Sequence, residues 1–427
     1  MIKSKSKPRS KPEAWQITLY ASFIAQLLSI VAFNASIPFI PLFIIKDLHV
    51  NSQAQAGLWA GGMTAASCLA MAAFSPIWGI LADRYGRKSM VLRAMMAGCV
   101  LTALMSVCPN VEIMLGLRIL QGALTGTVTA NVALVASATP KERVGYALGV
   151  IQTAVFTGAS IGPLLGGTLA DLTDYRLCFL STSVVLVLSS LIVFFFVHEA
   201  PIERPATAPQ VVKLTLGEKI HAFFNQKEFL AMVAVLALVQ FATSVISPVL
   251  ALFIQMLNGT SKGASSLAGL ELGITGIASA FSAVGAGRLS DRYGHHRVLL
   301  ISSLGAALLY FPQALVENVW QLLVLRGLMG LFIGGIIPSA NAIIADLIPE
   351  GRKGAAFGLV SSIGALGMSL GPLVGASIAF MFNTRAVFLV TGLVLLLDAF
   401  QLMKISATKT SKVVEPKIIT ESKKQRL

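Results

Sequence analysis

The strongest constraint in this sequence is a series of twelve apolar segments, each about 20 residues long. An α-helix rises about 1.5 Å per residue, so a segment of this length crosses the roughly 30 Å hydrocarbon core of a bilayer. The segments lack the alternating pattern of a membrane β-barrel, which predicts helices. They lie at residues 16–45, 56–80, 89–108, 113–136, 145–169, 177–198, 229–255, 266–287, 298–316, 320–345, 355–380 and 386–404. We therefore expect an all-α integral membrane protein with twelve transmembrane helices.

The composition argues against a water-soluble protein. Of the 427 residues, 55% are hydrophobic and 12% are charged, whereas about a quarter of the residues in an ordinary soluble domain are charged. The net charge of +14 lies mainly in the tails and loops. Nucleic-acid binding requires basic residues on one structured surface, so we expect no nucleic-acid partner. A lipid bilayer is the expected surrounding.

The basic residues also predict the orientation, because Lys and Arg accumulate on the cytoplasmic side of a membrane. With the amino terminus inside, 27 of the 33 basic residues lie on that side. The outer loops hold Lys46, Arg176, Lys262 and Arg385. This asymmetry predicts a multi-pass protein of the cell membrane with both termini in the cytoplasm.

Five regions follow from this topology. Residues 1–13 and 405–427 form basic cytoplasmic tails, and residues 14–198 and 229–404 form two six-helix bundles. The polar segment 199–228 links the bundles. Within it, Thr215 and Glu218 have the spacing of a capping box, which favours a short surface helix there. A structured linker without that helix is the alternative.

An internal repeat at about 208 to 210 residues relates the two bundles. The segment from Gly79 to Gly86 recurs from Gly287 to Gly294, and Arg118 recurs as Arg326. Further pairs are Gly149 with Gly358, Gly158 with Gly367, Gly162 with Gly371, Pro163 with Pro372, Gly166 with Gly375, Arg176 with Arg385 and Phe179 with Phe388. Two pseudo-symmetric halves with a site between them are one known plan for secondary transporters.

These motifs resemble those of the major facilitator superfamily, over nearly the whole chain. The segment GILADRYGRK at residues 79–88 is similar to that family's signature between spans 2 and 3, while its second copy departs at His295 and His296. The resemblance implies the major facilitator fold. The spacing of Gly149, Gly158, Gly162-Pro163 and Gly166 in span 5 resembles the twelve-span drug:proton antiporters.

The resemblance implies that the loop after span 2 fastens the cytoplasmic ends of the two halves in one conformation. A carboxylate at Asp83 can pair with neighbouring cations or accept hydrogen bonds from a helix start, and protonation would release it. The alternative is ordinary anchoring by basic residues. The predicted latch consists of Gly79, Asp83, Arg84, Gly86, Arg87, Lys88, Asp291 and Arg292.

Two arginines and one glutamate are the candidates for proton coupling. Burying a guanidinium in a span costs at least roughly 2.5 to 3.5 kcal/mol, so Arg118 and Arg326 should face a wet cavity or a partner. Snorkelling to the interface is the alternative. The resemblance implies a coupling role for Arg118. Glu271 lies inside span 8, where it is either a protonatable coupling group or an interfacial residue.

The glycines of span 5 recur largely every four residues, which puts them on one helical face that another backbone can approach. Pro163 would bend this helix. Either gating between the halves or tight packing alone explains the pattern. The predicted gating set is Gly149, Gly158, Gly162, Pro163, Gly166, Gly371 and Pro372.

The resemblance makes spans 1, 4, 7 and 10 the walls of a substrate cavity. The polar and aromatic candidates there are Gln26, Asn34, Asn131, Gln240, Phe241 and Asn341. Each side chain serves either substrate contact or packing between helices. Span 1 contains no acid, which weakens the case for a cationic substrate.

We expect a proton-coupled exporter of amphipathic organic molecules that works by alternating access as a monomer. No phosphate loop of the GxxxxGK[ST] type occurs, so an ion gradient is the expected energy source. We expect no enzymatic activity, no cofactor and no metal site. One alternative is a same-fold carrier for one metabolite, such as a siderophore, sugar or organic acid, working by export or uptake. The other is a non-transporting receptor or scaffold.

Overall fold

The computed structural model describes residues 14–140, 143–199, 227–260, 262–347 and 353–413. Every regular element in these ranges is a helix. The helices are α1 (Ala14–Ala35), α2 (Ile40–Lys46), α3 (Gln53–Tyr85), α4 (Arg87–Ser106), α5 (Val111–Leu124), α6 (Thr127–Ala138), α7 (Val144–Leu172), α8 (Tyr175–Phe196), α9 (Lys227–Val245), α10 (Ser247–Asn258), α11 (Ala264–Tyr293), α12 (His295–Gln313), α13 (Val319–Leu347), α14 (Lys353–Met381) and α15 (Thr384–Val413). The surface helix predicted within 199–228 lies outside the described residues.

Eleven spans in the described ranges are long and apolar enough to cross a membrane. The remaining predicted span corresponds to α12, which begins with the polar residues His295, His296 and Arg297. Together they give the twelve helical spans that the sequence predicts. This protein is therefore a multi-pass membrane protein.

One face of α8 shows how the helices meet lipid. The exposed residues on it are Leu177, Leu180, Val184, Leu188 and Leu191. A soluble protein rarely exposes so continuous an apolar surface. We therefore expect this face to contact the hydrocarbon core of the bilayer.

Three predicted spans are each divided into two helices. Span 1 breaks between α1 and α2, where Pro38 and Pro41 remove backbone donors. Span 7 breaks at Ile246, two residues before Pro248. Span 4 breaks without a proline, at Gly126, whose φ of +115° lies in the left-handed region. The three spans themselves are confirmed, and the structure adds a break within each that the sequence analysis did not predict.

Spans 2 and 8 extend further than the sequence predicts. Their helices continue to Tyr85 and Tyr293, so most of each repeated signature is helical. A single glycine makes each following turn, with φ of +96° at Gly86 and +93° at Gly294. Residues that carry a side chain rarely adopt this backbone conformation, which explains the glycine at both positions.

The chain forms two compact units. The first contains α1 to α8 with Ile246–Ile277 and Pro372–Thr384. In it, α1 packs against α7 and α8, α4 against α8, and α3 against α5. The second contains residues 227–245, Ala278–Gly371 and 385–413, and there α9 and α12 pack against α13. The five predicted regions follow the sequence repeat and stay a prediction.

The glycines of α7 bring its backbone against α1. A Cβ atom at Gly158 would lie 3.1 Å from the Leu27 carbonyl oxygen, and one at Gly162 would lie 2.8 Å from that of Val31. A Cβ at Gly166 would collide with the Ala35 carbonyl. Glycines four residues apart thus meet carbonyls four residues apart, which is a close packing of two helices within the first half.

The second half repeats this contact between α14 and α9. A Cβ at Gly367 would collide with the Ala237 carbonyl, and one at Gly371 would lie 2.7 Å from the Phe241 carbonyl oxygen. Both glycines are repeat partners of glycines in α7. Close packing explains the glycine pattern, while its gating role stays a prediction.

We expect Gly162→Leu to destabilise the folded protein, because the Val31 backbone cannot give way to a large side chain. Overpacking of this kind costs roughly 1 to 3 kcal/mol or more. The measurement is the apparent melting temperature in detergent, taken as the temperature at which heating halves the monodisperse fraction of the protein. Gly149→Leu is the matched control, since Gly149 is exposed with open space around it. Equal melting temperatures for the two variants would contradict the packing role.

Candidate functional site

A carboxylate holds the start of α4, and it belongs to Glu199. Its two oxygens accept hydrogen bonds from the backbone N–H groups of Arg87, at 2.7 Å, and Lys88, at 3.0 Å. Backbone donors at a helix start have no partner within the helix, and a carboxylate satisfies them and complements the helix dipole. Sequence reasoning missed Glu199. The only signal in the sequence was its position, because Glu199 directly follows span 6 and begins the link between the two halves.

The basic side chains of the predicted latch bind carbonyl groups near the ends of other helices. The Arg87 guanidinium donates to the Ala133 carbonyl at 3.0 Å, and Lys88 Nζ donates to the Phe194 carbonyl at 2.8 Å. Cations at helix carboxyl ends are electrostatically favourable. These bonds join α4 to α6 and α8 of the same half.

Two of the remaining latch residues, Arg84 and Arg292, make matching ring contacts in the two copies of the repeat. Arg84 lies over the Tyr85 ring and Arg292 over the Tyr293 ring, each 5.4 Å from the centroid. The surroundings of Gly79 and the side chains of Asp83 and Asp291 lie outside the described part of the structure. The latch role stays a prediction.

Arg118 lies in a polar cluster at the break in span 1. One terminal guanidinium nitrogen donates to the Ser36 hydroxyl at 2.9 Å, and the other donates to the Gln121 side-chain oxygen at 3.0 Å. Its Nε atom is buried without a hydrogen-bond partner in the part of the chain that the structure describes. The Ser67 hydroxyl donates to the Arg118 carbonyl at 2.7 Å. No carboxylate faces this guanidinium among its described contacts, so its charge is held by neutral dipoles.

Gln26 and Asn131 form a buried pair between α1 and α6. The Asn131 amide donates to Gln26 Oε1 at 3.0 Å and to the Ser22 carbonyl at 3.2 Å. Gln26 Nε2 donates to the Thr127 hydroxyl at 3.5 Å. Both amide side chains are fully buried. In this conformation they connect helices.

The other predicted cavity residues are half-buried. Asn34 donates to the Ile30 carbonyl of its own helix at 2.8 Å. Gln240 and Phe241 lie in α9, and Asn341 lies in α13. The structure thus brings Gln26 and Asn131 together in the first unit. Substrate contact by any of the six stays a prediction.

Arg326 does not share the surroundings of its repeat partner. Its guanidinium lies 5.8 Å from the Tyr310 ring centroid and 5.7 Å from that of Phe388. It is 5% exposed. Aromatic faces attract a cation through their quadrupoles, so the rings of α12 and α15 both contribute to holding this arginine.

Glu271 is buried inside α11 and accepts a hydrogen bond from the Thr275 hydroxyl at 3.3 Å. Its complete burial argues against an interfacial glutamate. Proton exchange at this residue stays a prediction.

A second face of α7 meets α11 within the first unit. A Cβ at Gly269 would collide with the Pro163 carbonyl, and one at Gly167 would collide with the Ser265 carbonyl. The repeat-related contact joins α3 to α14, where a Cβ at Gly61 would lie 3.1 Å from the Pro372 carbonyl carbon. Gly61 and Gly269 are themselves separated by one repeat. Pro163 and Pro372, the two prolines of the predicted gating set, thus lie in symmetric contacts between first-half and second-half helices.

Asp171 adds a polar contact beside this glycine surface. Its carboxylate accepts a hydrogen bond from the backbone N–H of Ser266 in the first turn of α11, at 2.6 Å. Asp171 lies two residues beyond the predicted span 145–169, and the sequence analysis assigned it no role. Nearby, Arg176 pairs with Asp47 at 3.4 Å. Burial and the neighbouring Asp174 raise the pKa of Asp47, and Arg176 partly opposes that rise.

Comparison with known proteins identifies the family. The family model described as the Major Facilitator Superfamily matches residues 22–285 and 232–423. This chain belongs to the Major Facilitator Superfamily. Members of the Major Facilitator Superfamily are transporters, so this chain is a transporter and not an enzyme.

Named relatives in the superfamily resemble the chain over nearly its whole length. The multidrug resistance protein MdtG of Salmonella dublin is 33% identical over 92% of this chain and 96% of its own. The MdtG protein of Dickeya zeae is 34% identical over 91% of this chain and 94% of its own. A variant of the nucleoside transporter NupG has a similar fold, with a TM-score of 0.76 at 14% identity over 91% of this chain and 99% of its own.

A bacterial homolog of the human lysosomal transporter Spinster, in an inward-facing and unoccupied conformation, also has a TM-score of 0.76. It is 16% identical and covers 94% of this chain and 99% of its own. At such identities the likeness concerns the superfamily fold alone. It confirms the twelve-helix architecture that the sequence predicts.

We expect Glu199→Ala to loosen the first turn of α4, because two backbone donors lose their acceptor. Loss of a helix cap costs roughly 0.5 to 2 kcal/mol. Hydrogen exchange measured by mass spectrometry should rise in the peptide that begins at Arg87. Glu112→Ala is the control, since Asn110 rather than Glu112 caps α5. Unchanged exchange at the start of α4 would show that this carboxylate is not its cap.

Proposed function

We propose that this protein is a proton-coupled secondary exporter of amphipathic organic compounds that works by alternating access. The observation that carries the proposal is the similarity to two proteins named multidrug resistance protein MdtG, at 33% and 34% identity over more than nine-tenths of each chain. An alignment of this extent includes most of both halves. The glycine pattern of span 5 independently resembles that of drug:proton antiporters.

The proposed location is the cell membrane, with both termini in the cytoplasm and with the protein working as a monomer. The distribution of basic residues supports this orientation. It places the turn at Gly86 on the cytoplasmic side. It also places Asp171 and the first turn of α11 on the outer side.

Arg118 is the proposed centre of proton coupling in the first half. Its surroundings support the role, because a permanent cation held only by Ser36 and Gln121 among its described side-chain partners can attract a carboxylate or an anionic part of a substrate. Glu271 is the proposed proton-exchanging carboxylate, supported by its burial within a span. Arg326, the repeat partner of Arg118, is proposed as the corresponding coupling cation of the second half, supported by its burial within a span.

Alternating access requires contacts that form in one state and break in another. The contacts of Pro163 with Gly269 and of Pro372 with Gly61 are proposed to be the outer gate, because they are symmetric and join helices of different halves. Asp171 would hold the gate through the start of α11. The latch around Asp83, Arg84 and Arg87 is proposed to play the corresponding part on the cytoplasmic side.

The proposed substrates are neutral or anionic in their polar part. The helix α1 contains no charged side chain, so a cationic substrate would find no counter-charge there. The cavity candidates Gln26, Asn34, Asn131, Gln240, Phe241 and Asn341 offer amides and a ring. These suit hydrogen bonding and stacking with an amphipathic molecule.

The direct test is a proteoliposome assay with an imposed pH gradient. We expect a lipophilic drug to move against its concentration gradient when the pH gradient is present, and to stop moving when a protonophore removes it. Gradient-driven flux of one polar metabolite alone would instead support the same-fold carrier. No flux of any compound would favour a receptor or scaffold.

We expect Arg118→Lys to reduce gradient-driven export by about tenfold or more, because lysine lacks the planar fork that reaches Ser36 and Gln121 together. Initial rates in proteoliposomes measure the effect at matched protein content. Arg176→Lys is the control, since Arg176 lies in the first turn of α8, where it pairs with Asp47. Equal rates for Arg118→Lys and the unmodified protein would exclude the coupling role.

A further inference from the structure

Asp398 is a carboxylate buried inside a membrane-spanning helix without a described role. It lies in α15 with none of its surface exposed. Thr391, Leu395, Ala399 and Leu402 share its buried side of the helix, each at most 3% exposed. Neither carboxylate oxygen has a hydrogen-bond partner in the described ranges. An ionised carboxylate in such surroundings is strongly disfavoured, so the group is expected to carry a proton in this conformation.

A second buried polar group lies on the neighbouring helix α12. Ser303 is fully buried, and its hydroxyl also lacks a hydrogen-bond partner within the described chain. The two helices meet where a Cβ at Gly392 would lie 3.2 Å from the Tyr310 Cβ atom. The two helices run in opposite directions from this contact. Asp398 lies six residues after Gly392, and Ser303 lies seven residues before Tyr310. The two residues are therefore at nearly the same level along the helices.

The internal repeat indicates the same neighbourhood. Asp398 corresponds to Ser189 at the 209-residue offset of Phe179 and Phe388, and Ser303 corresponds to Met95 at the 208-residue offset of Gly86 and Gly294.

The first half shows the corresponding pair in contact. The Ser189 hydroxyl is 3.4 Å from the Met95 sulfur and 2.7 Å from the Ala25 carbonyl oxygen. By the repeat, Ala25 corresponds to Val235 of α9, a buried residue. The second half therefore has a carboxyl where the first half has a hydroxyl between three helices.

Charged and titratable groups of the neighbouring helices lie at other levels. Arg326 of α13 faces Phe388, ten residues before Asp398 and so about 15 Å along α15. The groups on α9, α12 and α13 in the described ranges are Lys227, Glu228, His295, His296, Arg297, Tyr310, Arg326 and Asp346. None of them is hydrogen-bonded to Asp398. The described groups of these three helices therefore leave the Asp398 carboxylate without a hydrogen bond.

We propose that Asp398, together with the hydroxyl of Ser303 and the carbonyl of Val235, forms a proton-binding site within the second half. The proton adds to one Oδ atom of the carboxylate and gives a neutral carboxyl, and its acceptor is the Ser303 hydroxyl. Neither Asp398 oxygen is hydrogen-bonded in the part of the chain that the structure describes, so the two groups must approach each other for this bond to form. When water reaches the site, the O–H bond breaks and the proton leaves to the solvent. The role of this site in coupling rests on the proposed function, whereas proton binding itself does not.

Infrared difference spectroscopy of the full-length purified protein, exchanged between H₂O and D₂O, tests the site directly. A protonated carboxyl gives a stretching band that shifts on deuteration. We expect Asp398→Asn to lose one such band that Glu271→Gln retains. A spectrum of Asp398→Asn identical to that of the unmodified protein would overturn the proposal. If that variant is not monodisperse, Asp398→Glu replaces it and should move the same band.

Two serine variants test the location. We expect Ser303→Ala to shift the Asp398 band to higher frequency, because the carboxyl loses a hydrogen-bond partner. Ser189→Ala removes the corresponding hydroxyl of the first half and should leave the band unchanged. A band indifferent to Ser303→Ala would overturn the placement. Absence of gradient-driven export by the unmodified protein would refute the proposed function and leave these spectra as they are.

Discussion

The close contact between α7 and α1 is the interaction on which the rest of the first half depends. Lipid offers no hydrophobic driving force between helices, so they associate through packing and hydrogen bonds. The glycines of α7 let the α1 backbone approach from Leu27 to Ala35. This contact fixes α1, and α1 in turn presents Gln26 to Asn131 and leads to Ser36 beside Arg118. Loss of the glycine face would therefore displace the polar groups that the proposed function needs.

The helix α7 also explains how one element can serve both fixed and changing contacts. Its glycine face packs within its own half, while Pro163 and Gly167 meet α11. In the proposed alternating access, the first contact would stay closed and the second would open. A backbone surface without side chains suits such a contact, because nothing interdigitates and separation requires no change of rotamer. Asp171 supplies the polar component that can be released there.

Duplication preserved the scaffold and allowed the chemistry to diverge. The turns at Gly86 and Gly294 have nearly the same φ, and the glycines of α14 approach α9 as those of α7 approach α1. Backbone contacts tolerate only glycine, so they persist. Interior side chains are free to change. Arg118 binds neutral polar groups while Arg326 lies between rings, and Ser189 corresponds to a carboxyl at Asp398.

The sequence by itself determined the number of spans, the twofold repeat and the places where charge enters the membrane, because the hydrocarbon core imposes length and apolarity directly on the chain. It also drew attention to Arg118, Glu271 and the glycine face of α7, whose roles in transport stay predictions. Only the tertiary structure decided the break at Gly126, the capping of α4 by Glu199 and the pairing of Gln26 with Asn131. Glu199 and its partner Arg87, like Gln26 and Asn131, lie more than 100 residues apart in the chain. Moreover, the lipid-facing and core-facing sides of these helices are both apolar, so no periodic pattern in the sequence indicates which neighbour each side meets.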